Sequence, residues 1–409
     1  MCKGAIARIR SECVRGDCQY QEQRNIHMKR STERVLTTHA GSLPRPETVA
    51  QLMIAREQGQ PVDAAALDES VGKAVADVVA QQLAAGIDII SDGEMSKIGF
   101  ANYVKDRLTG FEGESNPTIA QDVLDHPDLR VRMFRRKEGN ESRYFTPACT
   151  GPITLRDREA VHRDIAHMKA ALQQGQPAEV FLPAASPGAI AQAMQNRYYP
   201  TQEAYLYALA GAMREEYQAI VAAGFLLQLD CPDLAMQRHT RFAHASLEEF
   251  RRQVQQNIEA LNYALTGIAP ERVRIHVCWG NYPGPHHRDV PLRDIIDLLF
   301  TIQGDALSIE AANPRHEYEW KVFQDVPLPE GKILIPGVVD TCSTCIEHPE
   351  TIAQRLVRFA QVVGRENVIA GTDCGFGTFL GASPLAPSIA WAKLRALSEG
   401  ARLASRELW

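Results

Sequence analysis

Short β-branched and apolar runs alternate with amphipathic stretches along this chain, and no other feature of the sequence limits the fold as strongly. Residues 35–39 form such a run and stop at Gly41 and the two prolines of SLPRP. Val71, Val75, Val78, Val79 and Leu83 then recur at helical spacing, Gly86 ends the helix, and IDIIS reads as the next strand. The pattern returns as EVFLPA at 179–184, followed by a helix near 203–223 with Leu206, Leu209, Met213, Tyr217 and Ile220 on one face, then Gly224 and FLLQLD. Residues 273–278, 305–310, 332–340 and 367–373 complete eight strand candidates, most of them preceded by a helical stretch.

Eight buried parallel strands alternating with helices make either an open doubly wound sheet or a closed barrel. The polar residues choose between them. Asp92, Glu94, Asp230, Cys278, Glu310, Asp340 and Cys374 all fall at the C-terminal ends of strands, where a barrel gathers its reactive side chains. No GxGxxG follows a strand, so a dinucleotide site has no support. The expected fold is α/β, a (β/α)8 TIM barrel over residues 31–409, preceded by an irregular tail at 1–30 that holds Cys2, Cys13 and Cys18. The charged, irregular span at 102–175, with a hairpin expected at RYFTPACTGPITL, reads as an insertion over the barrel mouth.

A formal charge of -6, with Lys and Arg scattered, gives no basic field for nucleic acid or an acidic membrane. Neither an apolar run of membrane-spanning length nor a secretory leader is visible, so the expectation is a cytoplasmic protein acting on small molecules. A homodimer is compatible with a barrel of this kind. Nine cysteines, irregularly spaced, suit metal binding or catalysis better than a disulfide scaffold.

His276 and Cys278 lie two apart on a strand candidate, so both side chains point to one face. Alone, such a pair is more often a hydrogen-bonded core histidine and a small hydrophobe. Glu310 ends the next strand and Cys374 the last one, and strand ends around a barrel rim can converge. One imidazole, two thiolates and a more readily displaced carboxylate make a tetrahedral zinc site. The alternative for Glu310 is a salt bridge with Arg274 or Arg315. Zinc lowers the pKa of a bound thiol and leaves the sulfur able to attack carbon, so the expected reaction is S-alkylation.

Glu94 and Asp230 close two strands as a carboxylate pair able to attract an amino group, with pairing to nearby Lys or Arg as the alternative. His39, at a strand end in TTHAGSLPR, and Asp340 are the candidate catalytic residues. The loop WGNYPGPHHRD places Trp279, Tyr282, His286 and His287 near the mouth, where solvated loop histidines are the commoner case.

The ordered series TTHAGSLPRP, SDGE, LQLDCPD, IHVCWGN, LSIEAANPR, IPGVVD and TDCGFGT resembles the catalytic C-terminal domain of cobalamin-independent methionine synthase, and more closely the shorter single-barrel proteins grouped with it. The resemblance implies zinc at His276, Cys278, Glu310 and Cys374, and homocysteine held by Gly41, Ser42, Glu94 and Asp230. It implies a methyltransferase acting on homocysteine or a similar thiol with a methylated donor. Three departures bear on that donor: Cys342 stands where the family has a proton-donating histidine, Cys231 stands where the synthase has Glu, and no Trp occurs at 180–200. TTHAGSLPR and EHPET are also similar to the epoxyalkane coenzyme M transferases, which implies the alternative of a zinc-dependent thiol alkyltransferase or lyase acting on an epoxide.

Overall fold

The computed structural model describes residues 28–116, 118–133, 146–380 and 385–409. Its centre is a curled parallel sheet. Six strands, β2 (Ile89–Ile90), β3 (Glu179–Ala185), β4 (Leu226–Asp230), β5 (Val273–His276), β6 (Ala306–Glu310) and β7 (Ile333–Gly337), pair in sequence order. A further parallel pair joins β1 (Leu36–Thr37) to β8 (Ile369–Ala370). Parallel bridges Leu334–Val368 and Gly337–Gly371 connect β7 to this pair, and the Asp88 N–H donates to Thr37 O across 3.2 Å on the other side.

Alternation along the strands separates two layers. Leu36, Ile89, Phe181, Leu226, Ala306, Ile333, Ile335 and Ile369 form one inner cluster, drawn from seven of the eight strands and sealed by Met28. The opposite faces pack beneath helices Ala64–Ala84, Glu159–Ala171, Gln202–Ala222, Leu247–Ala264, Pro349–Val363 and Pro387–Leu408. Local chemistry starts these helices: Asp63 and Thr201 cap backbone N–H groups, and Ser246 with Glu249 forms a reciprocal capping box. The last two helices cross closely because Gly400 lies against Ile352, where a Cβ would come within 2.5 Å.

The structure bears on three of these expectations. Residues 1–27 of the tail expected at 1–30 lie outside the described residues; at its end Met28 is buried, and the Ser31 hydroxyl that follows donates to Val368 O. Within 102–175, Glu159–Ala171 is a regular helix whose Ala160, Val161, Ile165 and Met168 face the core, so it serves the β2–β3 crossover. The irregular part is therefore shorter than its composition suggests. The hairpin expected at 143–155 does not close on itself among the described residues: Ala148–Cys149 pairs with Phe111–Glu112, and Leu155 bridges Leu108.

Arg107 locks this segment to the helical layer. Its guanidinium donates to Asp164 (2.5 Å) and Glu216 (2.9 Å), which belong to two different helices, while the Tyr103 hydroxyl reaches Glu216 at 2.6 Å. Replacing Arg107 with Leu leaves two buried carboxylates without their cation, so urea unfolding is expected to show a loss of about 3–5 kcal/mol.

Candidate metal centre and substrate cavity

The register of the parallel strands aligns one row of polar side chains. Asp230 pairs with His276, His276 with Ser308, and Glu310 with Gly337 on the following strand. Strand β5 ends at His276, but the Val277 N–H still donates to Ser308 O at 2.9 Å, so the chain remains extended as far as Cys278. Cys374 enters from the loop after β8, and its sulfur lies 2.9 Å from that of Cys278, well beyond the length of a disulfide bond.

The ligand atoms of His276, Cys278 and Cys374 lie within 4.8 Å of one another, all three residues are buried, and this is the one such group of three among the described residues. Burial pushes His276 down to about 3, which keeps a lone pair free, and its Nδ1 is 3.4 Å from the Ser308 hydroxyl. The hydrogen bond to Cys374 holds the Cys278 thiol down, but burial and the Glu310 charge outweigh it. Cys374 is pushed well above the ordinary thiol range by the Cys278 contact and by burial. Two thiols that burial keeps protonated, beside a neutral imidazole and a carboxylate, are a donor set that a borderline-soft divalent cation would deprotonate and bind.

Glu310 stands beside this group rather than within it. Its Oε1 accepts from the Trp279 N–H at 2.8 Å and its Oε2 from Asn313 Nδ2 at 3.1 Å. Asp373 fixes that arrangement by accepting from the backbone N–H groups of Ala311, Ala312 and Asn313 at 2.7–2.9 Å. Glu310 makes no ion pair among the described residues. Arg274 instead donates to Thr38 and the His39 carbonyl, and Arg315 to the His287 carbonyl.

Glu94 and Asp230 are both buried, and neither has an ion-pair partner among the described residues. Glu94 Oε2 has no hydrogen-bond partner, and Asp230 Oδ1 accepts only from Gln228 at 2.9 Å. Burial raises Glu94 above the usual carboxylate range; burial and the Glu94 charge raise Asp230 well above it. The charges of Lys97 and Arg45 offset part of that rise at Glu94, and those of Lys97 and Arg274 part of it at Asp230, so a further cation brought between the two carboxylates would be favoured.

Gly41 lies against this pair: a Cβ there would come 2.9 Å from Glu94 Oε1, at a φ of 130° that glycine accepts most readily. Ser42 abuts Gly375 and accepts from the Gly377 N–H, which brings the first loop to the Cys374 loop. Arg45 ties both to the SDGE loop by donating to Glu94 O and Gly377 O. His39 is buried with both nitrogens committed, one to Gln82 at 2.7 Å and the other accepting from the Gly41 N–H at 3.1 Å.

A cavity of about 330 Å³ opens beside Cys374 and Glu310, lined also by Asp340, Cys342, Tyr282 and His286. Asp340 Oδ1 accepts from the Cys342 N–H, and the Cys342 thiol meets Asn281 Oδ1 at 3.1 Å. The mouth loop differs from the solvated reading of its histidines. His287 is exposed beside Asp125, but His286 is buried. Asp289 gathers His239, His286 and His316 at 2.8–3.0 Å, and His316 also holds Glu319. Asp122, from the segment before the crossover helix, accepts from the Tyr282 hydroxyl and the His286 N–H. His239, His316 and Glu319 carried no sequence signal, because only folding brings three separate loops together.

Residues 184–383 match the family described as "Cobalamin-independent synthase, Catalytic domain". The chain is 26% identical over 399 residues to a 2-hydroxypropyl-CoM lyase of Xanthobacter autotrophicus, covering 91% of this chain and 95% of that protein. It is 25% identical over 342 residues to a methionine synthase of Sulfolobus acidocaldarius, covering 83% and 85%. A B12-independent methionine synthase from Shewanella sp. W3-18-1, solved with selenomethionine, superposes with a TM-score of 0.68 at 21% identity, over 92% of this chain and 99% of that one. No described helix is long and apolar enough to cross a membrane.

The buried histidines set opposite limits on stability. Burial pushes His39 down to about 4, so the unfolded chain takes up a proton first and stability falls as the pH drops from 6.5 towards 4. Carboxylate contacts outweigh burial at His286 and His316 and raise them to about 9 and about 10, so their contribution is complete below 6.5 and is lost as the pH rises through those values. Urea midpoints of the metal-free protein are expected to peak near pH 6.5. His39→Gln should reduce the acid limb by on the order of 3 kcal/mol and leave the part that belongs to His276, which burial pushes down to about 3.

Proposed function

We propose that this protein, whose residues 184–383 match the cobalamin-independent synthase catalytic domain, is a zinc-dependent S-methyltransferase acting on an amino-acid thiol such as homocysteine. The observation that carries the reading is the convergence of one imidazole and two thiol ligand atoms within 4.8 Å, in the same strand-end layer as a buried carboxylate pair that makes no ion pair among the described residues. In this reading residues 31–409 are one (β/α)8 unit, with β1 and β8 closing the ring. The inner cluster shared by seven strands supports closure.

His276, Cys278 and Cys374 would hold the zinc, with Glu310 as fourth ligand once it gives up its bonds to Trp279 and Asn313. Bound zinc would lower the pKa of an incoming thiol and keep its sulfur nucleophilic. Glu94 and Asp230 would take the substrate ammonium, which gives two desolvated carboxylates a direct ion-pair partner. Gly41 and Ser42 would hold its carboxylate, and His39 positions that loop through the Gly41 N–H. Asp340, on the cavity wall, fixes the loop of Cys342 against the methyl donor.

The alternative is a thiol alkyltransferase or lyase using an epoxide, and Cys342 in place of the family's histidine favours it. The carboxylate pair argues for the first reading: it attracts the ammonium of an amino acid and repels a sulfonate at the same place.

Purified protein is expected to carry about one zinc per chain, and Cys278→Ser or Cys374→Ser to lose it with the far-UV spectrum retained. Given homocysteine and 5-methyltetrahydrofolate, the zinc-loaded protein should yield methionine. No methionine, together with turnover of epoxypropane and 2-mercaptoethanesulfonate, would reverse the order of the two readings.

Glu94→Gln separates the two thiols. It is expected to raise KM for homocysteine roughly 30-fold or more by removing one partner of a desolvated charge pair, with zinc content maintained. Binding of 2-mercaptoethanesulfonate should not weaken.

A further inference from the structure

We propose that His286 is the proton donor to the leaving group, taking the place that Cys342 vacates. The assignment rests on the thiol-alkylating reading above and adds to it the residue that completes the reaction.

Among the described residues lining the cavity, His286 is the one basic side chain. Its ionisation is imposed by geometry. Nδ1 faces Asp289 Oδ2 at 2.8 Å and Nε2 faces the Tyr282 carbonyl at 3.1 Å; both partners only accept, so both nitrogens must bear protons. The ring is also held firmly. It stacks on Tyr282 with centroids 4.7 Å apart, and its backbone N–H is taken by Asp122 at 2.9 Å.

Backbone conformation singles out the same residue. Among the described residues only Glu94 and His286 combine a side chain with positive φ, at 58° and 54°. Left-handed backbone at a non-glycine residue persists where the surroundings enforce it, most often at functional sites. Here the two occurrences fall on the proposed ammonium site and on the cavity wall.

Other wall residues are unsuited to the task. Burial and the hydrogen bond to Asp122 push the Tyr282 hydroxyl well above its ordinary range, burial does the same to the Cys342 thiol, and Asp340 accepts from the Cys342 N–H. His39 does not line the cavity.

The step balances as follows. The sulfur lone pair forms the S–C bond, the C–N bond of a methylated amine (or the C–O bond of an epoxide) breaks, and the departing atom keeps that electron pair. It takes the proton from Nε2 of His286, which gives up its 3.1 Å bond to the Tyr282 carbonyl as it does so. A neutral ring remains, still donating through Nδ1 to Asp289, and solvent at the cavity mouth restores the proton. Asp289, Glu310 and Asp122 are the carboxylates facing this ring and its support, and Tyr282 and His239 the other titratable groups.

Leaving-group dependence tests the assignment. Iodide departs without a proton, whereas a tetrahydrofolate amine or an epoxide oxygen needs one. With homocysteine as acceptor, His286→Gln is expected to lose about 100-fold more rate with 5-methyltetrahydrofolate or epoxypropane than with iodomethane. Equal losses with both kinds of donor overturn it, as does a wild-type protein that accelerates iodomethane but turns over neither proton-demanding donor. A wild type that does not accelerate iodomethane overturns instead the thiol-activating reading beneath it. Histidine ¹⁵N spectra of the wild-type protein are independent of how the variant folds. Doubly protonated rings near neutral pH are expected for His286 and His316, and the absence of any would overturn the assignment.

Discussion

The hydrogen-bond register of the parallel strands is the constraint on which everything else rests. It places Asp230 beside His276 and His276 beside Ser308, and it ends β6 at Glu310 level with Gly337. Because side chains alternate along a strand, a slip of one residue on β5 would turn His276 and Cys278 outward among the helices together. The buried apolar residues on the other face make that slip costly, so the same burial that stabilises the sheet also aims the ligands.

Desolvation gives the site its electrical character. At one end stand two thiols and the Glu310 carboxylate, and with them the Glu94–Asp230 pair, all buried and without a direct ion pair among the described residues. At the mouth the balance reverses, since Asp289 and Glu319 are paired with imidazolium rings. Buried charge without a partner is expensive, and buried charge with a partner is nearly neutral. The molecule therefore has one region arranged to receive cations and another whose cations are fixed by the fold.

Much of this was legible in the residues. The eight strand candidates are all present, and the spacing of His276 and Cys278 led directly to a shared face. Boundaries were less legible: the run at 332–340 yields the strand Ile333–Gly337, because beyond it the backbone turns to bring Asp340 and Cys342 to the cavity. The helix Glu159–Ala171 was hidden in a charged span, although Val161, Ile165 and Met168 on its core face recur at helical spacing. His286 looked like an ordinary loop histidine, since of the carboxylates that enclose it only Asp289 is close in sequence, and Asp122 comes from 164 positions away.

The sequence by itself determined which residue types were available and on which face of each strand they would stand, because strand periodicity is a local property. It also carried the ordered motifs of its family. Only the tertiary structure decided which of those residues meet. Cys278 and Cys374 are 96 positions apart, and Asp122 and Tyr282 are 160 apart. Their contact follows from the curl of the sheet and the packing of loops across its end, where partners are chosen by distance in space and by burial, neither of which local sequence can express.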